Sequence, residues 1–97
     1  VSGRPPDLGE LDPETAARGL IVVLHAPRSA DGTTTWLLSL VDLAGVVLAR
    51  EPVQEHGVQA LDTIVRDRLE ALGRRVDGGW ISDLDVHAEP RHRALLR

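Results

Sequence analysis

The run Leu20-Ile21-Val22-Val23-Leu24-His25 is apolar at almost every position. As a β-strand it therefore presents oily side chains on both faces, because successive residues point to opposite sides. Its β-branched content, strand length and Ala26-Pro27 stop favour a strand over a helical turn. A strand of this kind has to be covered from two directions. Residues 33–41 make the same demand, with Trp36, Leu38 and Leu40 on one side and Leu37 and Val41 among the residues on the other. The polar stretch 28–32 between them reads as a loop, with Asp31-Gly32 as its sharpest turn signal.

A tight connection at Asp42-Leu43-Ala44-Gly45 leads to a third strand over 46–51, which Pro52 stops, so the second and third strands form a hairpin. Between 53 and 73 the period becomes helical, with Val58, Leu61, Val65, Leu69 and Leu72 on one stripe and Gly73 placed to end it. Acid-then-base pairs four residues apart, Asp62/Arg66 and Glu70/Arg74, dress the opposite side. Asp77-Gly78-Gly79 reads as a turn, and 80–87 alternates as a fourth strand. The expected fold is α+β: a three- to four-stranded, mainly antiparallel sheet with one long helix on one face, in the order β-β-β-α-β.

The 97 residues are enough for one domain, expected over 20–88. Residues 1–19 carry Gly3, Pro5, Pro6, Gly9 and Pro13 and read as a tail or linker. Asp12 as cap, Pro13 at the first helical position and Gly19 as stop signal one short helix within it. Residues 89–97, with Pro90, Arg91, Arg93 and Arg97, read as a basic C-terminal tail or a short final helix.

One helix covers one face of a sheet. The opposite face is then left with Ile21, Val23, Leu37 and Val41 as protein-interface anchors, since an uncovered apolar sheet face usually marks an interface. Three covers are available: a second copy of the chain, a different protein, or the N-terminal segment folding back with Leu8, Leu11 and Ala16. A homodimer is the expectation, because small domains often gain stability by oligomerising and two-fold dimers are the commonest oligomers.

Composition narrows the function classes. Without cysteine there is no disulfide framework, thiol nucleophile or Cys-based metal site. The longest apolar run, 20–24, is far short of a membrane span, and no signal peptide is evident, so a cytoplasmic protein with no membrane partner is expected. The net charge of −4 argues against a broad phosphate-binding surface and for a protein partner. Every basic residue that is not histidine is arginine, a skew that reports a GC-rich genome, and with no Met the chain reads as processed, trimmed or started at a GTG codon.

Asp83, Asp85 and His87 recur at every second residue. On a strand that spacing would align two carboxylates and an imidazole, the donor types of a hard-cation or hydrolytic site. The solvated face of a half-exposed strand has the same spacing. A small metal-dependent enzyme is thus an alternative, and catalysis is not the expectation: Ser29, Ser39 and Ser82 lack a nucleophile-elbow context, and His25, His56, His87 and His92 are scattered. No glycine-rich segment opens a helix in a phosphate-binding pattern, so no cofactor is expected. Arg74, Arg75, Arg91 and Arg93 would make a basic patch if the tail packs near the end of the helix, the basis of an RNA- or ribosome-associated alternative. Of the Phe, Tyr and Trp rings that commonly stack on bases the chain offers only Trp36 and Trp80, and both are expected in the core.

Over 36–73, the turn Asp42-Leu43-Ala44-Gly45, the following short strand and a helix carrying Ala60, Leu61, Ile64, Leu69 and Leu72 resemble HicB-type antitoxins. Ala44 stands where that family usually has Pro, and Glu51 and Glu55 echo the acidic residues that open its helix. The resemblance implies a partial double-stranded-RNA-binding-like β-β-β-α-β domain that binds a small toxin ribonuclease and commonly oligomerises. The strand-strand-helix order is also similar to half of the ribosome hibernation factors.

Overall fold

Asp31 and Gly32, at φ +52° and +77°, form the tip of the first hairpin in a computed structural model that describes residues 5–55 and 60–97. Positive φ at both central residues is what a tight type I′ turn requires. The turn joins β1 (Ile21–Ala30) to β2 (Thr33–Val41). β1 is longer than the expected 20–25 because a bulge between His25 and Arg28, with Ala26 at φ +51°, carries the strand through Pro27 instead of ending there.

β3 (Val47–Glu55) follows the Asp42-Leu43-Ala44-Gly45 turn, in which Gly45 sits at φ +83°. The expected stop at Pro52 does not occur. The Arg50 amide points away from β2 and bonds the Pro6 carbonyl at 2.9 Å, so Pro52, two residues on, turns its missing N–H toward the same outer edge. α2 (Leu61–Glu70) is shorter than the helical pattern over 53–73 implied, because β3 continues to Glu55; His56, Gly57, Val58 and Gln59 lie outside the described residues. β4 (Val76–Leu84) starts earlier than expected: Gly78 and Gly79 fall within it, where the register shifts between Asp77 and Ile81.

The fold is α+β with an antiparallel sheet, as expected, but the sheet has five strands in the order β3-β2-β1-β5-β4. The added strand is β5 (Pro90–Leu96), formed by residues expected to be a tail or a short final helix. It lies between β1 and β4, pairing Ile21 with Leu95 and Val22 with Ala94 on one side and Val76 with Leu96 on the other. Pro90 is tolerated because it is the first residue of the strand.

The core lies on one face of this sheet. Val22, Leu24, Leu38, Leu40 and Val53 pack with Val65 and Leu69 of α2, and Leu61, Ile64 and Leu72 close its margin. Fully burying each such side chain contributes about 1.5–3 kcal/mol. Residues 5–17 add to the same face. Asp12 caps α1 (Pro13–Ala17) by accepting the Thr15 amide at 3.3 Å, as the sequence signals implied. Ahead of it a 3-10 turn at Leu8–Glu10 inserts Leu8, 2% exposed, into the core. The segment is thus part of the domain, and it does not cover the second sheet face. Glu51, 8% exposed, anchors it: its carboxylate accepts the Leu8 amide at 3.0 Å and pairs with Arg68 of α2. Among the described residues no helix is long and apolar enough to cross a membrane.

Candidate interaction face

Strand alternation sends every second residue to the face opposite α2, and the register arranges these residues in rows across the sheet. One row runs Val47, Val41, Ile21, Leu95, Asp77; the next runs Arg50, Ser39, Val23, Arg93, Ile81. A third sets Pro52 against Leu37 and Leu37 against His25, with the pair Asp83 and Arg91 farther along the sheet. Ile21, Val23, Leu37 and Val41 therefore share one face, each partly exposed. Ile81 and Leu95, at 60% and 56% exposed, extend the apolar surface toward β4. Among the described residues α1, α2 and the Leu8–Glu10 turn supply core side chains only to the other face.

The middle of this face is polar and cationic. Ser39, 2% exposed, lies between two neighbours: the Arg50 Nε donates to its hydroxyl at 3.1 Å, and the His25 Nε2 lies 3.0 Å from the same oxygen. With the guanidinium donating, the hydroxyl proton is free to go to His25, which suits a neutral imidazole. Burial, and next the charge of Arg50, hold the His25 pKa below its usual value, against a smaller pull upward from Asp85. A serine enclosed in this way presents no nucleophile to a substrate. The arrangement orders Arg50 and His25 on the surface.

On the far side Arg91 grips Asp83 with two bonds, Nε to Oδ1 at 2.9 Å and Nη2 to Oδ2 at 2.8 Å, while Arg93 reaches Oδ2 at 3.0 Å. The Arg91 hydrogen bonds, with the charges of Arg91 and Arg93 behind them, hold the Asp83 carboxyl below the usual carboxylate range. The Nε of Arg93 is enclosed without an acceptor. Three arginines thus share the central rows with one bonded carboxylate, that of Asp83, and the Asp85 charge acts on Arg91 from the adjoining turn.

The structure separates the residues of the alternative metal site. Asp83 is on a strand and held by arginines, whereas Asp85 lies in the β4–β5 turn, where its Oδ1 accepts the amides of His87 at 2.8 Å and Glu89 at 3.1 Å. His87 is exposed in that turn. Their even spacing had implied one continuous strand face, but the strand ends at Leu84. Among the described residues no group of three or more His, Asp or Glu side chains is placed to hold a metal ion.

The basic patch is divided as well. Arg74, just beyond α2, donates to the backbone carbonyls of Ala16 at 2.6 Å and Arg97 at 2.9 Å, with Arg75 exposed beside it. Arg91 and Arg93 belong to the outer sheet face. Trp36 is buried against the His92 ring, centroids 5.1 Å apart, and the Trp80 Nε1 donates to Asp62 of α2 at 2.6 Å, so both rings serve the helix side.

Sequence reasoning missed Arg50, His25, Ile81 and Leu95 as members of the face. The alternation Arg91, Arg93, Leu95 carried a signal for β5, and Arg50 alternates with Ala49 and Glu51 in β3. Compared with known proteins, the chain matches no family model, no curated sequence and no solved structure.

Proposed function

We propose that the chain is a non-catalytic protein-interaction module that docks a different protein through its outer sheet face, with Ile21, Val23, Leu37 and Val41 as anchors. One observation carries the reading: these four residues lie together on the face that no helix of the described residues covers, continuous with the exposed Ile81 and Leu95. An exposed apolar surface of this kind usually marks an interaction site. A two-fold pairing of copies would set this patch against itself and bring Arg50, Arg91 and Arg93 of both copies into one interface, and on that ground we take the partner to be a different protein. An antitoxin-like role draws on the resemblance over 36–73, in which the Asp42-Leu43-Ala44-Gly45 turn closes a hairpin ahead of α2.

The test is Leu37→Glu. Leu37 is outside the core, so the variant should keep the far-UV spectrum and melting behaviour of the parent yet lose the partner in a co-purification titrated with the isolated partner protein. Light scattering across concentrations should give a monomer. A well-folded Leu37→Glu protein that still associates would sink the reading, and a stable dimer dispersed by Leu37→Glu would reassign the occupant to a second copy.

A further inference from the structure

The charge on the docking face runs opposite to that of the chain. The sequence carries a net −4, yet many of its acids lie away from this face: Glu10, Asp12 and Glu14 in the segment ahead of β1, and Asp62, Asp67 and Glu70 on α2. On the outer face the corner charges pair off, Arg28 with Glu89 at 3.2 Å and Arg97 with Asp77 at 3.0 Å. In the central rows Arg91 and Arg93 share Asp83, the Asp85 carboxylate acts on Arg91 from the β4–β5 turn, and Arg50 has no carboxylate bonded to it among the described residues. Arg50 spends its Nε on a neutral hydroxyl, and the Arg93 side chain is 42% exposed, so guanidinium donors remain for another acceptor.

We infer that the outer face recognises an acidic protein surface, one that sets aliphatic side chains against Ile21, Val23, Leu37 and Val41 and carboxylates against Arg50 and Arg93. This deepens the docking reading above and rests on it. Guanidinium groups suit carboxylates because their planar donors match the paired oxygens. Such a mixed face is complementary in charge to an acidic partner and unfavourable to a basic one. Carboxylates are favoured over nucleic-acid phosphates because the arginines are interleaved with aliphatic side chains, and neither tryptophan is on this face to stack a base.

The probes are three fluorescently labelled amphipathic peptides with identical leucine positions and Glu, Gln or Lys at every polar position, plus a short single-stranded RNA. Their binding to the full chain is read by anisotropy at low and moderate salt. The Glu peptide should bind tightest and the Lys peptide weakest, with the gap shrinking as salt rises. Arg50→Gln and Arg93→Gln should each weaken the Glu peptide by about two- to fivefold, the range of a solvent-exposed ion pair, and leave the Gln peptide unchanged. Arg93→Lys, which keeps the charge beside Asp83, should retain most of the preference; a circular dichroism spectrum of each variant checks the fold. Equal binding of all three peptides, lost in Leu37→Glu, would overturn the charge inference and leave the docking face standing. No binding by any peptide, or binding that Leu37→Glu does not affect, would overturn both. Preference for the RNA would overturn the inference in favour of a nucleic-acid partner, and a dimer at assay concentrations would overturn it in favour of self-association.

Discussion

Asp42 and Asp85 perform the same task at opposite ends of the sheet. Each closes a hairpin with one carboxylate oxygen: Asp42 accepts the amides of Ala44 and Val46, both at 2.9 Å, and Asp85 those of His87 and Glu89. In each turn the fourth residue donates its amide to the aspartate carbonyl and takes positive φ, Gly45 at +83° and Ala88 at +59°. A left-handed conformation costs an L-residue about 1–2 kcal/mol, against about 0.5–1 kcal/mol of extra chain entropy lost by glycine. Ala88→Gly should therefore stabilise the protein by roughly 0.5–1 kcal/mol, the difference between those figures, measured as a raised urea midpoint. His25 gives a second expectation. Its folded-state pKa is depressed by burial and by Arg50, so below the usual value of 6.5 the unfolded chain takes up the proton first. The stability it contributes is complete above that value and is lost as pH falls through the lower folded value. Urea midpoints should drop between about pH 7.5 and pH 5.5, the range around an ordinary histidine, and His25→Gln should flatten that part of the profile. An equally steep profile in the variant would place the proton elsewhere.

Two segments that read as tails are elements that the fold depends on. Residues 5–17 cover the β3 edge through the Pro6 carbonyl and fill the core with Leu8. Leu8→Ala should cost about 2–5 kcal/mol, as for other buried leucines, whereas a leucine in a loose tail would cost almost nothing; chemical denaturation separates the two. β5 is more central still, because β4 joins the sheet only through it. Removing residues 90–97 should leave a chain without a cooperative thermal transition. A truncated protein that melts like the parent would show that β1 to β3 and α2 hold the fold alone.

For the molecule as a whole, the consequence of this order is a sheet with two unlike faces. α2 and residues 5–17 close one, and α2 brings Asp62, Asp67 and Glu70 to that side. The other keeps an apolar surface crossed by Arg50, Arg93 and Arg91. Leu37→Glu is therefore expected to act on association and not on folding: Leu37 faces away from α2, beside Pro52 and His25. Its effect on partner binding should exceed tenfold, as for a central interface anchor, with a change in the thermal midpoint no larger than that of a typical surface substitution.

Much of this was legible in the residues because it is local. The apolar run 20–25, the alternation over Thr33–Val41, the Asp31-Gly32 and Asp42–Gly45 turns, the Asp12-Pro13 start of α1 and the Leu61, Val65, Leu69 stripe all follow from side-chain period and turn chemistry within a few positions. The shared face of Ile21, Val23, Leu37 and Val41 was readable for the same reason, since a strand's period assigns its faces. The place of β5 between β1 and β4 was not readable, nor the side on which residues 5–17 pack, nor the gathering of Arg50 with Arg93 across Ser39 and Val23. Those depend on which distant segments exchange backbone hydrogen bonds, and local periodicity carries no record of that choice. Pro52 resembled a strand stop and Pro90 part of a tail, yet both lie in strands because tertiary pairing leaves their missing donors where no ladder partner needs them. Asp83, Asp85 and His87 resembled one site because their spacing is even, but Asp85 turns the chain between them, and that turn exists only because β5 returns to pair with β1 and β4.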